Sequence, residues 1–227
     1  MLRGRYLFLI VSFLFVFLFA NSIPVSTQSL NLETFIRPDA VEETAVVNTN
    51  TTLPVADDAS AVQGAPTTTH PSDSYLMAGY DNGAYYPTGR SRAYIRFDVS
   101  SIPAEGTLVS ATFRIYHAGG QDYAGVSRDV TFYRVTETWE DTTLIWNNLP
   151  AYAEALGTSS TTYDEQGWFE LDITQLVADW VSGAKPNYGI VAVGPETVEG
   201  AYRVFFASEV ADGPEIVVRH IPAPPPV

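Results

Sequence analysis

The side chains able to do acid–base or nucleophilic chemistry are few and scattered. The chain has three histidines, His70, His117 and His220, and no cysteine. His70 lies in a polar stretch, His117 ends an alternating run, and His220 stands beside a proline-rich end. None sits in a nucleophile elbow or another catalytic frame. The 26 acidic residues permit many carboxylate pairs. Glycoside hydrolysis depends on their separation in space, which sequence spacing does not give. No enzyme is expected. Loop residues are better suited to holding a ligand. Tyr85 and Tyr86 lie in Asp81 to Gly89 (DNGAYYPTG), and Tyr123 lies in Gly119 to Gly125 (GGQDYAG). Tyrosine offers a flat apolar face and a hydroxyl, which suits a wet ring such as a sugar. Arg90 and Arg92 follow the first loop, and a guanidinium binds a carboxylate bidentately.

For a metal, the oxygen donors to consider are Asp57, Asp58, Asp122 and Glu209, a set that suits a structural Ca²⁺. There is no EF-hand spacing and no His or Cys cluster for zinc. Trp139, Trp146, Trp168 and Trp180 are expected to pack in the core and at corners, because they adjoin strands or a helical stripe.

The elements that would position these residues centre on Arg92 to Tyr116 (RAYIRFDVSSIPAEGTLVSATFRIY). Ala93, Ile95, Phe97 and Val99 alternate with Tyr94, Arg96 and Asp98. Val109, Ala111, Phe113 and Ile115 alternate with Ser110, Thr112, Arg114 and Tyr116. Period-two patterning predicts strands with one buried and one wet face. The link Ser100 to Thr107 exceeds a tight hairpin, so the chain is expected to cross between sheets there.

Further strands are expected over Val55 to Val62, Ser74 to Gly79, Asp129 to Thr138, Trp168 to Asp172, Tyr188 to Gly194, Arg203 to Ser208 and Pro214 to His220. Trp139 to Pro150 (WEDTTLIWNNLP) reads as an aromatic corner, and Ala151 to Gln166 carries no clear pattern. One helix stands out, Ile173 to Ser182. Ile173, Leu176, Val177, Trp180 and Val181 form an apolar stripe. Asp172 and Gln175 make an approximate capping box, and Gly183 is the stop. The fold class is all-β, a jelly-roll-like β-sandwich with one short amphipathic helix.

Residues 1–22 read as a signal peptide. Arg3 and Arg5 precede an apolar run from Tyr6 to Ala20, and cleavage after Ser22 leaves Ala20 at the small position. Retention as an N-terminal anchor is the alternative. Residues 23–54 read as a linker, 55–221 as the domain and 222–227 as a proline-rich tail. The expected location is outside the cell or at its surface, and a fold without cysteine needs no disulfide there. The formal net charge is −14. That excludes a nucleic-acid partner held by counterion release and disfavours anionic membranes beyond the export segment.

Four segments occur in order: RAYIRFDVSSIPAEGTLVSATFRIY, YRVTETWEDTTLIWNNLP, WFELDITQLVADWVSGAKPNYGIVAV and FFASEVADGPEIVVRH. Together they resemble the DNRLRE-type domain, carbohydrate-binding module family 96, over roughly Val55 to Ile221. The resemblance implies a secreted, non-catalytic jelly-roll module that binds polysaccharide, with uronic-acid polymers such as alginate bound by some members. The family's Ser-Arg-Glu run is replaced here by Ser208-Glu209. The alternative reading is a structural or adhesive surface sandwich that binds no sugar.

Overall fold

The two central alternations form strands, and a crossing link joins them. A computed structural model describes residues 48–83 and 88–223. Eleven strands form in chain order: β1 (Thr49–Leu53), β2 (Val55–Val62), β3 (Tyr75–Asp81), β4 (Gly89–Phe97), β5 (Thr107–Gln121), β6 (Arg128–Val135), β7 (Tyr152–Thr161), β8 (Gly167–Asp172), β9 (Ile190–Val193), β10 (Ala201–Phe206) and β11 (Glu215–Ile221). One helix, α1 (Thr174–Ser182), follows β8. The expected signal peptide, the expected linker up to residue 47 and the last four residues of the expected tail lie outside the described residues.

All strand pairs are antiparallel, in the lateral order β1-β11-β5-β10-β3-β4-β9-β6-β7, with β2 on β4 and β8 on β5. The sheet curls over itself as a sandwich, so the inward faces of β4 and β5 meet. Phe113 lies edge-on to Phe97 at 6.0 Å and to Phe132 at 5.4 Å. Ile95, Phe97, Ala111, Phe113 and Ile115 are all buried in this core, as the alternation predicts.

Val109 departs from the pattern. The β5–β11 register shifts at Arg219 and His220, and Leu108, not Val109, packs against the core. A bulge inserts one residue, which reverses the face taken by its neighbours. Tyr94 departs too. It is fully buried, although the alternation puts it on a wet face. The corner after β6 folds over the outer face of β4 and β9. Trp139 lies 5.6 Å from Tyr94 there, and Ala59, Leu144 and Val191 complete a second small core.

Two strands were not legible in the sequence. β1 occupies the end of the stretch read as linker and pairs with β11 from Thr49 to Leu53. β7 fills the unassigned 151–166 region and pairs with β6 through two register shifts. Both have largely polar sequences, TNTTL and YAEALGTSST, whose pairing comes from a neighbour rather than from a buried face.

The helix begins one residue later than expected, with Ile173 as N-cap. Asp172 still holds its first turn, since Oδ1 accepts the Thr174 amide at 2.9 Å and hydroxyl at 2.6 Å. Gln175 does not complete a capping box. It donates instead to Asp179 one turn on, at 2.8 Å. Gly183 closes the helix in the left-handed region at φ 75°. Leu176, Val177 and Trp180 are buried against the sandwich.

Candidate functional site

Four aromatic side chains form a row across the outer face of one sheet. Tyr116 on β5 faces Trp168 on β8 directly across the ladder. On the other side of β5, Phe206 on β10 stacks on Tyr116, and Tyr75 on β3 pairs with Phe206. The centroid spacings along the row are 5.5 Å from Trp168 to Tyr116, 5.1 Å from Tyr116 to Phe206 and 5.8 Å from Phe206 to Tyr75. Each strand contributes one ring, so the repeat follows the interstrand distance of about 4.8 Å. Trp168 is 37% exposed and Tyr75 47%. Tyr116 and Phe206 are half-buried between them.

Local pattern explains why these rings face outward. Tyr116 alternates with buried Ile115 and His117, and Phe206 with buried Phe205 and Ala207. Trp168, Glu170 and Asp172 alternate with Phe169 and Leu171, which pack on the core. The rings are not coplanar. The interplanar angles are 85° for Trp168 with Tyr116, 10° for Tyr116 with Phe206 and 38° for Phe206 with Tyr75.

The charges beside the row are mostly paired. The guanidinium of Arg114 sits 4.4 Å from the Trp168 ring centroid. It donates to Glu170 at 2.8 Å and also to Glu215, the residues opposite it on the two neighbouring strands. The Trp168 end therefore carries two carboxylates around one arginine.

Of the ligand candidates expected from sequence, Arg90, Arg92 and Tyr123 lie apart from this row. Tyr85 and Tyr86 lie outside the described residues. Tyr123 is 76% exposed on the turn after β5. Arg92 is engaged by Glu196 through Nε at 2.6 Å and a second nitrogen at 3.0 Å, and it stacks 5.5 Å from both Trp146 and Tyr152. Glu196 holds its guanidinium well above the ordinary arginine range. Arg90 donates through Nε to the Glu196 carbonyl at 3.0 Å. Both arginines thus serve one internal partner. Trp168 is the correction among the tryptophans. Trp139 and Trp180 are buried, Trp146 is half-buried, and Trp168 stands on the surface. Its position on the face of two acids was the available signal.

Three of the four expected calcium donors have separate partners. Asp57 pairs with Arg96. Asp58 accepts the Ser208 amide at 2.8 Å and hydroxyl at 2.7 Å. Burial nevertheless raises its pKa. Asp122 bridges the Arg128 side chain at 2.8 Å and lies 3.7 Å from Arg203. Burial, above all, raises the pKa of Glu209. Among the described residues, no three His, Asp or Glu side chains converge to hold a metal ion.

The histidines are likewise held in structural settings. His70 Nδ1 lies 3.1 Å from Asp73. His117 is buried with Nδ1 on the Glu165 carbonyl, and desolvation lowers its pKa. His220 is buried on β11.

Comparison with known proteins gives a family model and two relatives. The model described as carbohydrate-binding module family 96 matches residues 49–220. "Protein 60A" of Drosophila melanogaster is 34% identical over 98 residues, 41% of this chain and 20% of that protein. "Protein 60A" of Drosophila virilis is 31% identical over 97 residues, with the same two shares, 41% and 20%. The match thus covers about a fifth of the length of these relatives.

Proposed function

The chain belongs to carbohydrate-binding module family 96, and we propose that it binds polysaccharide without transforming it, on the row Trp168, Tyr116, Phe206 and Tyr75. The row carries this reading. Rings at a constant spacing across a rigid sheet match a ligand that is itself a chain of rings. An extended, equatorially linked pyranose chain repeats at nearly the interstrand distance. Its apolar C–H faces gain from burial on aromatic carbon, and sheet-mounted side chains lose little conformational entropy on binding.

Two features refine the ligand. First, the ring planes turn along the row, so the four rings do not offer one continuous stacking plane. A crystalline polysaccharide surface needs such a plane, whereas one chain in solution can twist to follow the rings. Second, Arg114 is held between Glu170 and Glu215, and the whole chain is strongly acidic. A polyuronate would meet like charge there. The ligand proposed is therefore a neutral glycan chain, in place of the uronic-acid polymer the resemblance implies. The leader over residues 1–22 would deliver the module outside the cell, where such chains occur.

A glycan array with the exported chain tests this reading. Saturable binding to soluble neutral glycans, weakened in Trp168→Ala and Tyr116→Ala, is the expected result. Preferential capture of alginate overturns the neutral assignment. A blank array from folded protein supports the alternative, a spacer or adhesive sandwich that binds no sugar.

A further inference from the structure

The row of rings is not the whole outer face. At its Tyr75 end, a cleft of about 590 Å³ opens beside it. That volume falls within the roughly 300–1,000 Å³ typical of small-ligand sites. Tyr75 belongs to both, since it ends the row and forms a wall of the cleft. Val204 forms the other apolar wall, and its ladder partner Met77 lies fully buried beneath the cleft.

One position lining the cleft lacks a side chain. Val204 faces Gly119 across the β5–β10 ladder. Gly119 has φ 142°, a conformation that favours glycine, and an added Cβ would meet only the Tyr163 carbonyl oxygen, 3.7 Å away. Ser72, Asp73 and Ser74 form the rim and supply hydroxyl and carboxylate oxygens. The contact of His70 with Asp73 at 3.1 Å steadies that carboxylate. Apolar walls with a rim of hydroxyls and a carboxylate suit a neutral sugar ring, with its C–H face inward and its hydroxyls donating to the rim.

Position decides which part of a glycan would enter. The row runs across the strands, one ring per strand. The cleft is displaced along them, from Tyr75 and Phe206 to Met77 and Val204, two residues or about 7 Å away. A chain lying straight along the row passes the cleft without entering it. A substituent leaving that chain sideways near Tyr75 points into it.

We propose that this cleft is a branch-recognition subsite, which takes a neutral side branch of one or two sugar residues from the chain lying on the row. The proposal rests on the reading of the row as the sugar-binding face. Under it, the module selects substituted polysaccharides over their unbranched counterparts.

The test uses matched probes: unbranched and galactose-branched manno-oligosaccharides, and unbranched and xylose-branched gluco-oligosaccharides, titrated calorimetrically. Val204→Trp fills the cleft from its wall. Ser72→Trp fills it from the exposed rim without altering the sheet, which covers the case in which the first variant does not fold. The parent is expected to bind one branched probe at least fivefold more tightly than its unbranched partner. Both cleft variants should lose that preference while keeping the affinity for the unbranched probe. Equal affinity for each branched and unbranched pair in the parent overturns the proposal, as does a preference that survives in the variants or an absence of binding to every probe. Trp168→Ala separates the two readings. It should weaken both members of a pair equally, and unchanged affinity for the unbranched probe overturns the row itself whatever the cleft variants show.

Discussion

Tyr116 and Phe206 lie in a near-parallel stack across the β5–β10 ladder, with centroids 5.1 Å apart and planes 10° from parallel. The two residues are 90 positions apart in the chain. Their stacking is the centre of the row, and it leaves Trp168 and Tyr75 as the more exposed rings at its ends.

Trp168→Ala should therefore separate binding from stability. An exposed ring contributes little to the fold, so the melting temperature should shift by no more than about 3 °C, the effect of about 1 kcal/mol. Affinity for a soluble glycan should fall about tenfold, which corresponds to about 1.4 kcal/mol. Calorimetry and a thermal melt on the same preparation check both.

Trp180→Ala should do the reverse. The ring is buried beneath α1 with Leu176 and Val177, and it belongs to the main core. Removing it leaves a large cavity and should cost about 3–5 kcal/mol. In a chain of this size, that lowers the melting temperature by on the order of 10 °C. Below the transition, the variant should still bind glycan. Loss of binding from a folded, fully stable variant would instead make Trp180 a ligand contact.

Two glycines should respond differently to a single methyl group. Gly183 ends the helix at φ 75°, and an added Cβ meets nothing within 4 Å. Gly183→Ala should cost only the left-handed backbone penalty, about 1–2 kcal/mol. Gly189 has φ 81°, and its Cβ would fall 2.1 Å from the Ile95 carbonyl oxygen. Gly189→Ala must separate the chain from β4 next to the β4–β9 pairing and should cost more than about 4 kcal/mol. Urea unfolding of the two variants gives the comparison.

Asp122 should set part of the acid limit. Burial pushes its carboxyl up, but the bond from Arg128, the Tyr123 amide and the nearby Arg203 outweigh it, and the net shift is downward from 3.8. The folded pKa lies below the unfolded one. Its stabilisation is thus complete above the ordinary carboxylate range and is lost as pH falls through the folded value. Arg203 is fully buried, with its guanidinium on the carbonyls of Thr161 and Tyr202. Asp122→Asn removes the carboxylate that pairs with that cation and leaves Arg128 close to it. It should cost about 3 kcal/mol at neutral pH and flatten the stability–pH curve below about pH 4. Urea midpoints between pH 3 and 7 test this.

The central strands, the short helix and its glycine stop were legible in the chain, because alternation and the helical stripe are local patterns that burial enforces on one face. Tyr116 could be placed on a wet face for the same reason, and Trp168, between Gly167 and a face of acids, carried the same signal. Other features belong to the tertiary structure. Arg203 is a buried charge that no local pattern announces, and carbonyls from three separate segments satisfy its guanidinium. Tyr94 reads as wet and is buried, because the 136–150 corner folds over it. β1 and β7 exist through the strands beside them. The row itself was beyond any local reading. Each ring's outward direction follows from its own strand, but whether four rings align depends on the lateral order and register of β8, β5, β10 and β3. Those are contacts between distant segments, set by how the whole sheet closes over its core.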